Sequence, residues 1–126
     1  TYLFGWPEKV KSLIGKKSDL EIDSDDYAIY ISEYANMVAE LHLDYFGRKT
    51  IREIEIFARE ETIIGDIANN RIKYLNSGKN IDFSEKRDDY QKRELLHFFE
   101  MVMGTTEADE SYLHGLDVLM LARGQR

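Results

Sequence analysis

The chain reads as an α+β fold: a mostly antiparallel open sheet with helices packed on one face. Three observations predict it. Apolar residues alternate with period two through the first two thirds of the sequence, the signature of strands. The last third switches to the i, i+3, i+4, i+7 spacing of amphipathic helices. Between the two lies no repeat, no low-complexity tract and no linker, and there is a single proline, so 1–126 reads as one domain.

The elements follow in order. Tyr2, Leu3 and Phe4 resemble the last turn of an apolar helix, closed by Gly5 and Pro7. "EKVKSLIGKK" alternates Val10, Ser12 and Ile14 against Lys9, Lys11 and Leu13. After the acidic turn "DSDD", "YAIYISEY" sets Tyr27, Ile29 and Ile31 against Ala28 and Tyr30. "VAELHLDYF" groups Ala39, Leu41, Leu43 and Tyr45 opposite Val38, Glu40, His42, Asp44 and Phe46. "GRK" is expected to turn the chain into "TIREIEIFA", where Ile54, Ile56 and Ala58 alternate with Glu53, Glu55 and Phe57. "TIIGDIA", the turn "NN" and "RIKYLN" make a further hairpin.

One face of these strands is cleanly apolar and the other mixes charge with large side chains, as in an antiparallel sheet with one face on a core. The mixed face reads either as a subunit interface or as a solvated surface. In "DDYQKRELLHFFEMVMG", Leu95, Phe98, Phe99 and Val102 form a helical stripe ended by Gly104. In "SYLHGLDVLMLARG" the stripe is Tyr112, Leu113, Leu116, Leu119 and Met120, and Gly124 stops it. Ser111 is the expected cap, with Asp109 and Glu110 favourable beside a helix N-terminus.

Composition narrows the function classes. A net charge of −7 argues against nonspecific nucleic-acid binding and against attraction to acidic membranes. The absence of cysteine excludes disulfides, thiolate zinc sites and thiol nucleophiles. No apolar run approaches the roughly 20 residues of a membrane helix, and no signal peptide is visible, so a cytoplasmic protein is the default expectation.

The residues carry few catalytic signatures. The glycines form neither G-x-G-x-x-G nor a G-K-[ST] loop, so no cofactor-binding residue is assigned. His42 and Asp44 make an H-x-D pair suited to a metal or a base–orienter couple, but polar members of a mixed sheet face are the simpler reading. His97 is expected to be structural within its helix and His114 to be exposed. Glu53 and Glu55 share a strand face, most simply a surface matched by cations. "EKRDDYQKRE" reads as the solvated start of the long helix.

The ordered string is more specific than its parts. It runs "GWPEKV", "SDLEIDSDD", "VAELHLDYFGRKTIREIEIFAREETIIGD", "RELLHFFEMVMG" and "HGLDVLMLA". Along essentially its whole length it resembles the C-terminal domain of the glucose–fructose oxidoreductase and inositol dehydrogenase (Gfo/Idh/MocA) family. "ELLHFFEMVMG" is similar to that family's E-x-x-H-F-x-x-x-x-x-G helix and "GLDVLMLA" to its closing helix. "AREETIIGD" departs from the family's G-x-x-G-T-like turn by lacking the first glycine.

The resemblance implies a parent enzyme in which an N-terminal Rossmann domain, absent here, binds NAD or NADP. The parent would oxidise or reduce a hydroxyl or ketone of a sugar, cyclitol or sugar nucleotide. The family's Glu-Lys-Pro motif is not in this sequence, nor is its H-x-x-D or H-x-x-x-D pair on a helix leading into the sheet, so no catalytic, cofactor or metal residue is expected and the chain alone is expected to be silent. Its sheet would supply one wall of the substrate cleft and a homo-oligomer surface. The candidate substrate-side residues are Tyr45, Arg48 and Lys49 of the "YFGRK" turn, nearby Arg52, and Trp6, which either lines the cleft or anchors packing. The alternative is a free-standing α+β dimerisation module with no catalytic role.

Overall fold

The computed structural model describes residue 1 and residues 3–83, 85–86, 88–107 and 111–124. Seven strands precede two helices: β1 Lys9–Gly15, β2 Tyr27–Glu33, β3 Val38–Asp44, β4 Glu53–Phe57, β5 Thr62–Asp66, β6 Arg71–Tyr74, β7 Asn80–Asp82, α1 Asp89–Val102 and α2 Ser111–Ala122. The α+β class is as the sequence predicts, and all pairings are antiparallel. The strands divide between two sheets, however, in the orders β1-β2-β3 and β4-β5-β6-β7. Two compact units correspond: Thr1–Gly47 with Asp109–Arg126, and Arg48–Ala108.

The division falls at the turn after β3. The turn expected at "GRK" does not pair β3 with β4, and just before it Asp44 Oδ1 accepts the amides of Phe46 at 2.7 Å and Gly47 at 3.2 Å. A side chain thus binds the first amides after β3, the local hydrogen bonding of an Asx turn. Residues 45–52 contain no strand.

In the first unit, register places Val10, Ser12 and Ile14 beside Ser32, Tyr30 and Ala28, which face Ala39, Leu41 and Leu43. The opposite face carries Lys9, Lys11, Leu13, Tyr27, Ile29, Ile31, Val38, Glu40 and His42, the expected mixture. The Tyr30 hydroxyl donates to the Ala122 carbonyl at 3.0 Å, joining β2 to the end of α2. At the N-terminus, Gly5 N donates to Thr1 O at 2.7 Å and Gly5 has φ +72°, a left-handed helix-end geometry. Tyr2 of that expected turn lies outside the described residues, as do Asp109, Glu110 and the Ser111 side chain of the expected cap.

In the second unit, Ile54, Ile56, Ile63, Gly65, Ile72, Tyr74 and Ile81 share one face, while Glu53, Glu55, Ile64, Asp66, Arg71, Lys73 and Asp82 share the other. Gly65 is a packing requirement. A Cβ there would lie 2.8 Å from Ile54 Cγ2, its cross-strand partner. β7 has only three residues, too short for any alternation to announce it. Gly104 and Gly124 close the two helices at φ +69° and +66°.

Among the described residues no apolar side chain is buried, and the one buried polar residue is Asp26, 1% exposed. The α1 stripe of Leu95, Phe98, Phe99 and Val102 is exposed, and so are Leu41 and Leu43. The isoleucines of the second sheet's apolar face are half-buried. No helix is long and apolar enough to cross a membrane among the residues described.

Candidate functional site

The predicted substrate-side residues belong to both units. Trp6 and Tyr45 are in the first. The Trp6 ring lies 5.6 Å from the His114 ring, whose Nε2 is 2.9 Å from Thr1 Oγ1. Trp6 is therefore anchored at this end of α2, and His114 is half-buried rather than exposed as expected. Tyr45 projects outward while its amide donates to Asp26 O at 3.1 Å. Arg48 and Lys49 are exposed loop residues of the second unit.

Of the predicted set, Arg52 lines a cavity. This cavity, about 590 Å³, lies within the second unit where the β5–β6 turn meets the segment leading into α1. Thr50, Ile67, Ala68 and Asn70 form one side, and Phe83, Glu85, Lys86, Tyr90 and Arg93 the other. Arg93 Nη2 donates to both carboxylate oxygens of Glu85 at 2.9 Å. The Glu85 hydrogen bonds, and then its charge, hold the Arg93 guanidinium above its ordinary value. Sequence reasoning missed this half of the cavity by reading "EKRDDYQKRE" as a solvated run. The available signal was Phe83 and Tyr90 bracketing the charges, since rings need not flank a purely solvated stretch.

His42 Nε2 and Asp44 Oδ2 do meet, at 3.2 Å, on the exposed mixed face of the first sheet. Asp44 spends its other oxygen on the turn amides, so its position is fixed by the backbone. Among the described residues no group of three metal-ligating side chains converges. His97 is exposed, with Nδ1 3.9 Å from Glu100, rather than packed in the helix interior.

Two carboxylates that sequence reasoning did not single out organise the loops. Asp26, between the β1–β2 loop and β2, accepts the Lys17 amide at 2.8 Å and the Ser18 amide at 2.7 Å. Burial by itself raises its pKa, but the Ser18 hydroxyl, the Ser18 and Lys17 amides and the Lys16 charge outweigh it. The net position is below the ordinary aspartate value. Glu61 plays the same part in the other unit, accepting the amides of Asn76 at 2.6 Å, Thr62 at 3.1 Å and Ser77 at 3.1 Å. The Asn76 amide, opposed by partial burial and then aided by Ser77 and Thr62, holds Glu61 below the usual range. Asp66 is lowered too, first by the Asn69 side-chain amide, which donates at 2.7 Å.

Comparison with protein-family models, with curated proteins and with solved structures finds no match for this chain.

Proposed function

We propose that this chain is the substrate-side and oligomerisation domain of an NAD(P)-dependent oxidoreductase of the Gfo/Idh/MocA type, acting on a hydroxyl or ketone of a sugar, cyclitol or sugar nucleotide. In this reading NAD or NADP sits on a separate Rossmann domain. The present residues supply a wall of the substrate cleft and a homo-oligomeric contact through a sheet face. The order of motifs from "GWPEKV" to "HGLDVLMLA" supports the family.

The observation that carries the proposal is the state of the apolar surfaces. Isoleucines of the second sheet are only half-buried, and Leu41, Leu43, Phe98 and Phe99 are exposed. Burial of apolar area is the main driving force of folding, about 25 cal/mol per Å². Surfaces of this kind become stable when another protein layer covers them. A domain that works against a nucleotide-binding domain and against other subunits has such layers.

The test is turnover by the complete gene product. With a panel of sugars and cyclitols and either nicotinamide cofactor, the expected result is cofactor reduction with at least one polyol. The 126-residue chain alone binds neither NADH nor NADPH. Micromolar binding of either cofactor to the chain itself would contradict the division of labour proposed.

The same uncovered surfaces also favour the second reading, a free-standing dimerisation module. A complete gene product that self-associates yet turns over no polyol with either cofactor would select that reading.

A further inference from the structure

We propose that the cavity lined by Arg52, Phe83, Glu85, Lys86, Tyr90 and Arg93 binds a small phosphomonoester carried on a ring. The proposal stands apart from the oxidoreductase reading, since it concerns a site wholly within residues 48–108 and needs no nicotinamide.

The charge balance of the walls points to an anion. Three cations line the cavity against one carboxylate, on a chain whose net charge is −7. Glu85 is already satisfied by the paired hydrogen bonds from Arg93 at 2.9 Å. Among the described residues, Arg52 and Lys86 take part in no ion pair. Among the described residues, two cations outside any ion pair therefore face one cavity. A phosphomonoester carries about −1.5 to −2 at neutral pH, which matches that surplus better than a monoanionic carboxylate does. Arginine offers a planar fork to phosphate oxygens and lysine a compact point charge.

Shape specifies the rest of the ligand. The volume of about 590 Å³ suits a drug-sized molecule rather than a bare ion, for small-molecule sites run from about 300 to 1,000 Å³. Phe83 and Tyr90 are each about half exposed, and both line the cavity. Aromatic faces of this kind pack against a flat base or against the C–H face of a sugar ring. A hexose phosphate and a nucleoside monophosphate share this chemistry.

Calorimetric titration of the 126-residue chain tests the site with four probes: inorganic phosphate, a hexose monophosphate, adenosine monophosphate and unphosphorylated glucose. At least one phosphomonoester is expected to bind about tenfold or more tightly than inorganic phosphate, and glucose not at all. Whichever of the two esters binds more tightly identifies the ring. The double variant Arg52→Ala, Lys86→Ala is expected to weaken that binding about 100-fold, a factor of ten for each charge-assisted contact. Arg93→Ala weakens it as well, because it frees the Glu85 charge to repel phosphate. Lys79→Ala, outside the cavity, leaves it unchanged.

Backbone amide shifts of the unsubstituted chain, followed during the same titration, are expected to move at Phe83, Lys86 and Tyr90. That readout does not depend on any variant folding. The proposal is overturned if neither ester binds below about 10 mM, if the double variant binds as well as the parent, or if the shifts map elsewhere.

Discussion

In residues 1–47 the best-protected group is the carboxylate of Asp26, 1% exposed, while in residues 48–108 the carboxylate with the same task, Glu61, is only half-buried. Each receives backbone amides from a loop distant in sequence and so fixes one strand connection: Lys17 and Ser18 for Asp26, Asn76 and Ser77 for Glu61. The first unit adds a polar tie from sheet to helix, Tyr30 to the Ala122 carbonyl. The second fixes the start of its helix through Arg93 and Glu85. In both, polar clamps fix the loops while the apolar faces stay uncovered. The lesson is that loop geometry is settled within each unit by polar contacts, while apolar side chains of the same units stay half-buried or exposed.

The largest expected effect breaks the more buried clamp. Asp26→Ala leaves the Lys17 and Ser18 amides without their acceptor in a protected site. The melting temperature should fall by something on the order of 10 °C, with hydrogen-exchange protection of residues 17 and 18 lost. Glu61→Ala should cost visibly less, because water can replace a half-buried acceptor. Equal losses would erase the contrast between the units.

Acid should act on both units together. Asp26, Glu61 and Asp66 all titrate below their ordinary values in the folded chain. A carboxylate so lowered adds stability that is complete above its unfolded value, about 4, and is lost as pH falls through the depressed folded value. Thermal melts should hold level down to about pH 5 and drop below about pH 4, with a shallower drop in Asp26→Asn. A melting temperature flat across that window would count against the clamps.

Gly65→Ala probes the second sheet alone. The new methyl meets Ile54 Cγ2 at 2.8 Å, so a loss of about 1–3 kcal/mol is expected. Adding Ile54→Val, which trims the obstacle, should recover part of it. Smaller again is Tyr30→Phe in the first unit, at about 1 kcal/mol for a hydrogen bond whose acceptor remains reachable by water. No change in a denaturant midpoint would show that the tie to α2 contributes nothing.

The elements were legible in the sequence because alternation and helical period are local. Ile54 and Ile56 against Glu53 and Glu55, or Leu95 and Phe98 along α1, announce themselves without knowledge of any partner. Sheet membership was not legible. It depends on which strands pair, and β4 begins a new sheet after a turn in which Asp44 takes the Phe46 and Gly47 amides. Asp26 was hidden in "DSDD", where four acidic or hydroxyl residues look alike and only the fold chooses the one to bury. Of the candidate site, Arg52 was found by its charge. Its companions Lys86, Tyr90 and Arg93 were not, since they come from the other side of a cavity assembled across more than thirty residues of chain.

The central claim is that the uncovered apolar faces exist to be covered by protein. Sedimentation velocity of the 126-residue chain across the micromolar range measures this directly. The account predicts a dimer or larger species that dissociates when Ile72→Asp is placed on the apolar face of the second sheet. A chain that stays monomeric and cooperatively folded at high micromolar concentration would contradict it.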